Sequence, residues 1–433
     1  MSDDTPDTQS VVARLKLQLT RLKNDSLFRS GSLLVATGLL SGGLNYLFQV
    51  LVGRLLSPTK YGVFGALYGL VYLLTVISIA VGYCATRYVA ILNADHRLDF
   101  MRGFTLRVAA LAAIVFTLLL IIAPLLADFL HLSDPKLVVL VAATLAGGLF
   151  LELGAGYVKG LQHFRTMASF EIAEAVFKLV AGVGLVILGA GVYGAIGGVV
   201  VAILTVVLGY GWHLRKLLRN SGQSAFDRYN DVYRYAMPAL LVGFCATVPT
   251  NGDVVLVRHL FTPVEAGYYA AIAVFGKVLV FLPGGVTAAL FPKAASQDDG
   301  DAQRTLLFRA LAYTGVPLVL VIMIFVIIPG VLVDLLFGPE YRPAAELLPW
   351  YGAAMGVFAL NSVLLKYLLA CRRTRLVWLY AIVTVLELLG IFLFADSLLG
   401  AVHLLLVANG SLFIIGLVGV ITVDNFLGGA DSD

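Results

Sequence analysis

Blocks of about 20 apolar residues, the length a helix needs to cross the hydrocarbon core of a membrane, recur along the whole of this 433-residue chain. They fall near 32–55, 62–88, 104–126, 137–158, 167–188, 192–212, 235–256, 268–290, 310–333, 345–369, 376–394 and 402–421. Lipid offers the backbone no water, so each block must satisfy its own hydrogen bonds as a helix. Composition agrees: 60% of residues are apolar and 13% charged, against about 45–50% and about 25% in soluble domains. The expected fold class is all-α, a polytopic membrane protein with twelve transmembrane helices.

Charge placement fits that count. With a cytoplasmic N-terminus, most of the 30 Lys and Arg residues fall in inner segments. Only Arg54, Lys60, Lys136, Arg258 and Arg342 fall in outer turns, and Lys178 and Lys277 lie inside spans. One helix more or fewer would flip every later loop and spoil the positive-inside bias. The expected location is the cytoplasmic membrane, with both termini in the cytoplasm. The net charge of +4 reflects this anchoring and does not point to nucleic acid. Residues 1–29 hold no A-x-A-like cleavage site before the first span. Val12, Leu15, Leu19 and Leu22 share one helical face there, which fits a helix on the inner membrane surface or a solvated basic tail. Cys84, Cys245 and Cys371 define no disulfide or metal site, and no cofactor is expected.

One turn is written twice. LLSPTKYG at 55–62 returns as LFTPVEAG at 260–267, an offset of 205. Ser57 and Thr262 suit a helix N-cap, and Pro58 and Pro263 suit its first turn. Glu265 completes a capping box in the second copy, where the first has Lys60. Gly62 and Gly267 suit close backbone approach. Tyr157-x7-Arg165 returns as Tyr367-x7-Arg375 at nearly the same offset. The order and spacing imply duplication of six helices. Six is even, so the two copies lie the same way up, a parallel repeat. The expected division is a cytoplasmic segment 1–29, an N-lobe 30–213, a basic linker 214–234, a C-lobe 235–423 and a tail 424–433.

The stretch FQVLVGRLLSPTKYGVFGALYGL resembles the first two helices of the polysaccharide-transporter flippases, which include the O-antigen and oligosaccharide flippases. These belong to the multidrug/oligosaccharidyl-lipid/polysaccharide (MOP) superfamily. YVKGLQHFRTMASF, YRYAMPALLVGF, NGDVVLVRHLFTPVEAGYYAAIAVFGKV and FGPEYRPAAELL extend the resemblance over roughly 28–425. It implies two six-helix lobes around a V-shaped cavity that opens alternately to each side. It also implies a substrate, an oligosaccharide on a polyprenyl phosphate or diphosphate, flipped from the cytoplasmic leaflet for cell-surface polysaccharide biosynthesis. Implied partners are that lipid-linked substrate, membrane lipids, H+ or Na+, and a polysaccharide polymerase or glycosyltransferases. The lipid II flippases of the superfamily usually have fourteen helices, and twelve spans argue against that branch.

Polar groups inside spans mark the candidate site, because charges at the bilayer centre cost at least about 2.5–3.5 kcal/mol and face a cavity or a partner. The run ATVPTNGDVV in the seventh span carries Pro249 and Gly252 near mid-membrane, where Pro removes a hydrogen bond and kinks the helix. SGGLN lies at nearly the same depth in the first span. Interrupted segments at matching positions point to a transporter site. Asn45 and Gln49 share one face, and Asn251 and Asp253 extend the strip; hinge or packing contacts would use the same residues. Lys277, in AIAVFGKV, lacks the rest of a phosphate loop. It either attracts the lipid phosphate or pairs with Asp253. Glu174 and Lys178 stand one turn apart in the order that favours an ion pair, with Glu171 beside them and Glu152 able to join. Asp253, Glu387 and Glu174 are candidates for ion coupling, since a buried carboxyl can carry a proton. Cavity arginines near the first, second and eighth helices implicated in headgroup binding are a family property. Arg54 and Arg87 match it by location only, and Lys277 stands where an Arg is expected. Positioning and anchoring explain them equally.

Two other classes compete. A multidrug antiporter of the same superfamily would take a cation and needs a carboxylate-rich cavity, whereas Lys178 and Lys277 favour an anion. A membrane-embedded polysaccharide-processing enzyme needs larger outer loops than HLSDPK and SPTKYG provide, so a non-enzyme is expected.

Overall fold

The structure is a computed structural model that describes residues 26–219, 229–284, 286, 290, 300–371 and 374–427. The described residues form fifteen α-helices and no strand. They are α1 (Ser26–Leu55), α2 (Pro58–Ile91), α3 (Ala94–Ile121), α4 (Ala123–Phe129), α5 (Lys136–Gly160), α6 (Phe164–Leu185) and α7 (Gly191–Arg219). After them come α8 (Tyr229–Thr247), α9 (Gly252–Leu260), α10 (Pro263–Phe281), α11 (Gly300–Ile327), α12 (Pro329–Leu336), α13 (Leu348–Ala370), α14 (Thr374–Phe394) and α15 (Leu398–Leu427). Most of the basic N-terminal segment, much of the linker between the repeats and the last residues of the tail lie outside the described residues.

Nine described helices are long and apolar enough to cross a membrane, and ten if the bent pair α8–α9 counts as one span. The sequence reading of twelve differs at two places. The stretch Phe164–Arg215 passes as a single helix of 52 residues, about 78 Å at 1.5 Å per residue and far beyond the bilayer core. It reverses at a π-helical turn, Val186–Ala190, where Gly189 has φ 91° and Gly191 has φ 53°. These left-handed values suit glycine. Past the reversal, Gly182 and Gly198 let α6 and α7 pack backbone to backbone, as small residues do inside membranes. The second place is α14, which counts as a shorter apolar helix over Trp378–Phe394, although its 21 residues Thr374–Phe394 are about 32 Å long at 1.5 Å per residue. Large side chains such as Leu39, Leu188, Leu208 and Phe394 are exposed on the outside, so the surface itself is apolar and this is a multi-pass membrane protein.

α1–α7 pack as one lobe and α8–α15 as a second. α2 carries most of the contact between the two: it packs along α8, α9 and α10, and the start of α8 also reaches α3. There Arg87 and Arg107 sit over the rings of Tyr235 and Tyr229. The two repeated turns start α2 and α10 and meet at one end of the bundle, called here the turn end. Thr262 and Glu265 form the expected capping box, while Ser57 makes no side-chain cap bond. A Cβ built on Gly62 would stand 2.8 Å from the Gly267 nitrogen and 2.9 Å from the Pro263 oxygen. One on Gly267 would overlap the Pro58 carbonyl. Each copy's glycine therefore admits the other copy. Around the contact a single core joins Phe48, Tyr61 and Phe64 of the first lobe to Phe275, Phe337 and Tyr341 of the second.

Candidate functional site

Three polar side chains of α1 make a stripe. Ser41, Asn45 and Gln49 are four residues apart and so lie on one helical face. Ser41 Oγ donates to Glu171 Oε1 at 2.8 Å. Asn45 Oδ1 accepts from Lys178 Nζ at 2.8 Å, and Gln49 Oε1 accepts from Lys277 Nζ at 3.2 Å. Gln49 Nε2 also donates to the Asn45 carbonyl at 3.3 Å. The stripe thus ties α6 of its own lobe to α10 of the other lobe. α1 itself is continuous through Gly42 and Gly43, so the break expected at SGGLN is not there. Without a proline every backbone bond of the helix can form.

Lys178 also meets Glu174 at 2.7 Å, the pair expected from the sequence, with both side chains largely buried. Glu152 lies within electrostatic reach of Glu171 and Glu174. Lys277 has neutral partners. Besides Gln49, its Nζ stands 5.1 Å from the Tyr72 ring centroid and 6.0 Å from that of Tyr68, a range in which the ring face attracts a cation.

Asp253 is not bonded to Lys277, although the two are within electrostatic reach. The chain breaks between α8 and α9 with a bend of 57°, at the Pro249–Gly252 stretch where the sequence places a kink. Asn251 and Thr250 side chains bond the freed Thr247 carbonyl at 3.0 and 3.1 Å. The break turns Asp253 into the first turn of α9, where a helix N-terminus favours an anion, and toward α10 and α13. There the fully buried Oδ2 accepts from Tyr269 at 3.0 Å and from Tyr351 at 2.9 Å. Glu387 on α14 follows: Asn409 Nδ2 donates to its Oε2 at 3.3 Å, and Asn361 Nδ2 donates to the Asn409 carbonyl at 2.9 Å. Among the described residues, four buried oxygens on these side chains, Asn251 Oδ1, Asp253 Oδ1, Asn361 Oδ1 and Glu387 Oε1, have no hydrogen-bond partner. Buried polar groups are ordinarily bonded, so these acceptors have unspent hydrogen-bonding capacity. Asn361 and Asn409 were missed in the sequence, although each is a polar residue inside an apolar span, as Asn45 is.

Arg54 and Arg87 do not join this cluster. Both are exposed and lie at opposite ends of the bundle. Arg54 Nη1 donates to the Leu335 carbonyl, near the end of α12. A counterpart runs the other way. Arg258 Nε and Nη2 donate to the carbonyls of Leu130 and His131 at 3.0 and 2.9 Å. His259 Nδ1 lies 2.8 Å from the Phe129 oxygen, and its ring stacks on Phe129 at 4.0 Å. These three carbonyls lie at the end of α4, the short helix after α3, and in the two residues that follow it. Leu130 and Leu335 stand at the repeat offset of 205, as do Pro124 and Pro329, which open the two short helices. Each lobe therefore uses arginine at the end of its first span to hold the short helix of the other lobe. Tyr341 adds a bond from its hydroxyl to the carbonyls of Gly53 and Leu56, both at 2.9 Å.

Two helical lobes closed on each other at one end, with a polar seam between them, have the architecture of MOP-superfamily transporters. An inward-facing multidrug-resistance MATE transporter superposes with a TM-score of 0.74 at 13% identity, covering 88% of this chain and 95% of that one. The lipid II flippase MurJ, in an inward closed conformation, gives 0.72 at 13% identity, covering 90% and 87%. A MOP transporter from Pyrococcus furiosus, described by the reverse polarity of its binding pocket, gives 0.56 at 13% identity, covering 91% and 96%. A family model described as polysaccharide biosynthesis protein matches residues 50–346, and the chain belongs to that family. No curated protein matches it in sequence.

Proposed function

We propose that this chain is a flippase that moves an oligosaccharide linked to polyprenyl phosphate or diphosphate across the cytoplasmic membrane by alternating access. The observation that carries the reading is the seam of two lysines, one from each lobe, tied through Asn45 and Gln49. Glu174 answers the charge of Lys178, whereas among the described residues Lys277 bonds neutral groups alone. A cation so placed inside a membrane is costly, and an entering phosphate would answer its charge with a charge-assisted bond. Tyr72 beside it, half-buried, offers a ring face to a sugar. Family membership supports the polysaccharide setting.

In this reading twelve spans form an N-lobe of 30–213 and a C-lobe of 235–423, with both termini in the cytoplasm and the turn end outermost. Asn45, Gln49, Lys178 and Lys277 hold the headgroup, and Asn251 orders the break beside it. Arg54 acts at the outer closure and Arg87 at the inner end. Asp253 and Glu387, through their own unpartnered oxygens and with those of Asn251 and Asn361, take H+ or Na+ as the coupling ion. Glu174 answers Lys178 when the headgroup is absent. A cation antiporter is the second reading, favoured by the grouping of Glu152, Glu171 and Glu174.

Proteoliposomes separate the two. Purified protein with a fluorescent prenyl-diphosphate disaccharide in the inner leaflet should deliver the sugar to a lectin outside, and should not export ethidium. Ethidium export without sugar delivery would overturn the flippase.

A further inference from the structure

We propose that Arg258 is a state-dependent anion ligand: it caps carbonyls of the opposite lobe while the turn end is closed, and takes a phosphate or diphosphate group when the turn end opens. The inference rests on the transport reading above and adds a second anion position, separate from the lysine seam.

Arg258 is 3% exposed, yet its described partners are the carbonyls of Leu130 and His131 alone. Among the described residues no carboxylate stands within ion-pair distance of it. Its Nη1 is buried and has no hydrogen-bond partner among the described residues. A guanidinium carries five N–H donors and no acceptor, so part of its capacity is unspent in this state. The carbonyl end of α4 carries only the partial negative charge of a helix C-terminus. That cradle holds a cation more weakly than a full anion would, because bonds between two ionised groups are about twice as strong as neutral ones.

Both carbonyls belong to the other lobe, so parting the lobes at the turn end removes them together. His259, stacked on Phe129 and lined up with Phe392 at 6.0 Å, loses its neighbour in the same movement. Arg258 then faces the opening with all its donors free. Its planar fork matches the oxygens of a phosphate. A headgroup arriving from the lysine seam would replace the broken carbonyl bonds and favour the open state. Arg54, bonded to the Leu335 carbonyl by the symmetric arrangement, is released by the same opening.

The test compares a closed and an opened background in lipid nanodiscs. Gly267→Leu would drive a side chain into the Pro58 carbonyl and wedge the turn end open; Gly62→Ala is the second wedge if that variant does not fold. Affinities for farnesyl diphosphate and for inorganic pyrophosphate are measured with and without Arg258→Gln. The expected result is a loss of about tenfold for Arg258→Gln in the opened background and of less than about twofold in the wild-type background, as for one charge-assisted contact. A loss confined to farnesyl diphosphate assigns the position to a lipid headgroup; a parallel loss for pyrophosphate assigns it to the phosphate group alone. No loss in the opened background, or an equal loss in both, overturns the proposal and leaves the flippase reading standing. Absence of farnesyl diphosphate binding by the wild-type protein overturns both.

Discussion

Gly62 and Gly267, equivalent residues of the two repeats, touch across the lobes with room for no Cβ on either: the Gly62 position would place one 2.8 Å from the Gly267 nitrogen. The repeated S/T-P turn is thus both a mark of duplication and the place where the copies meet. Gly62→Ala should cost the closed turn end about 1–3 kcal/mol through overpacking. Spin labels on the exposed residues Asp128 and Val264 should report a longer distance at the turn end by electron–electron resonance. An unchanged distance distribution would remove the glycines from the closure.

Tyr341 tests the same end by a different chemistry. Tyr341→Phe leaves the Gly53 and Leu56 carbonyls without this donor, at a cost of about 1–3 kcal/mol if they stay buried. A thermal-shift measurement in detergent should show a lowered midpoint, and the label pair above should show partial opening.

The Glu174–Lys178 pair is buried, so breaking it one side at a time should be expensive. Glu174→Gln should destabilise by about 3–5 kcal/mol because it leaves Lys178 uncompensated. The double variant Glu174→Gln/Lys178→Met should recover most of that loss. Equal midpoints for the single and double variants would mean that the charge of Lys178 is not balanced by Glu174.

Asp253 and Glu387 should govern ion dependence without governing headgroup binding. Asp253→Asn keeps the volume and can still accept from Tyr269 and Tyr351. Flipping in liposomes by Asp253→Asn or Glu387→Gln should lose its response to an imposed Na+ or H+ gradient, while farnesyl diphosphate affinity changes by less than about twofold. A variant that still responds to the gradient would move the coupling site elsewhere.

Much of the fold is written in local pattern. Apolar blocks of span length, the capping box at Thr262, the kink at Pro249 and the i, i+4 pair of Glu174 with Lys178 all depend on residues near in sequence, and each is where the pattern places it. Relations between distant segments were not legible. One of the two sequence readings of Lys277 pairs it with Asp253, but the 57° bend aims Asp253 at Tyr269 and Tyr351 instead. Gly42 and Gly43 look like a break, yet α1 runs through them. The match of Pro124–Leu130 with Pro329–Leu335 was present in the letters, but its meaning, a short helix for the other lobe's arginine to hold, appears only when the lobes are assembled.

The central claim is that the two lysines at the junction of the lobes hold an anionic headgroup. The most direct measurement is the flipping rate of a prenyl-diphosphate disaccharide in proteoliposomes, at matched protein density, for wild type, Lys277→Ala, Lys277→Arg and Lys178→Ala. The expected result is a drop of at least about tenfold for Lys277→Ala, the worth of one charge-assisted contact, a similar drop for Lys178→Ala, and substantial activity for Lys277→Arg. A Lys277→Ala rate within about twofold of wild type would contradict the claim.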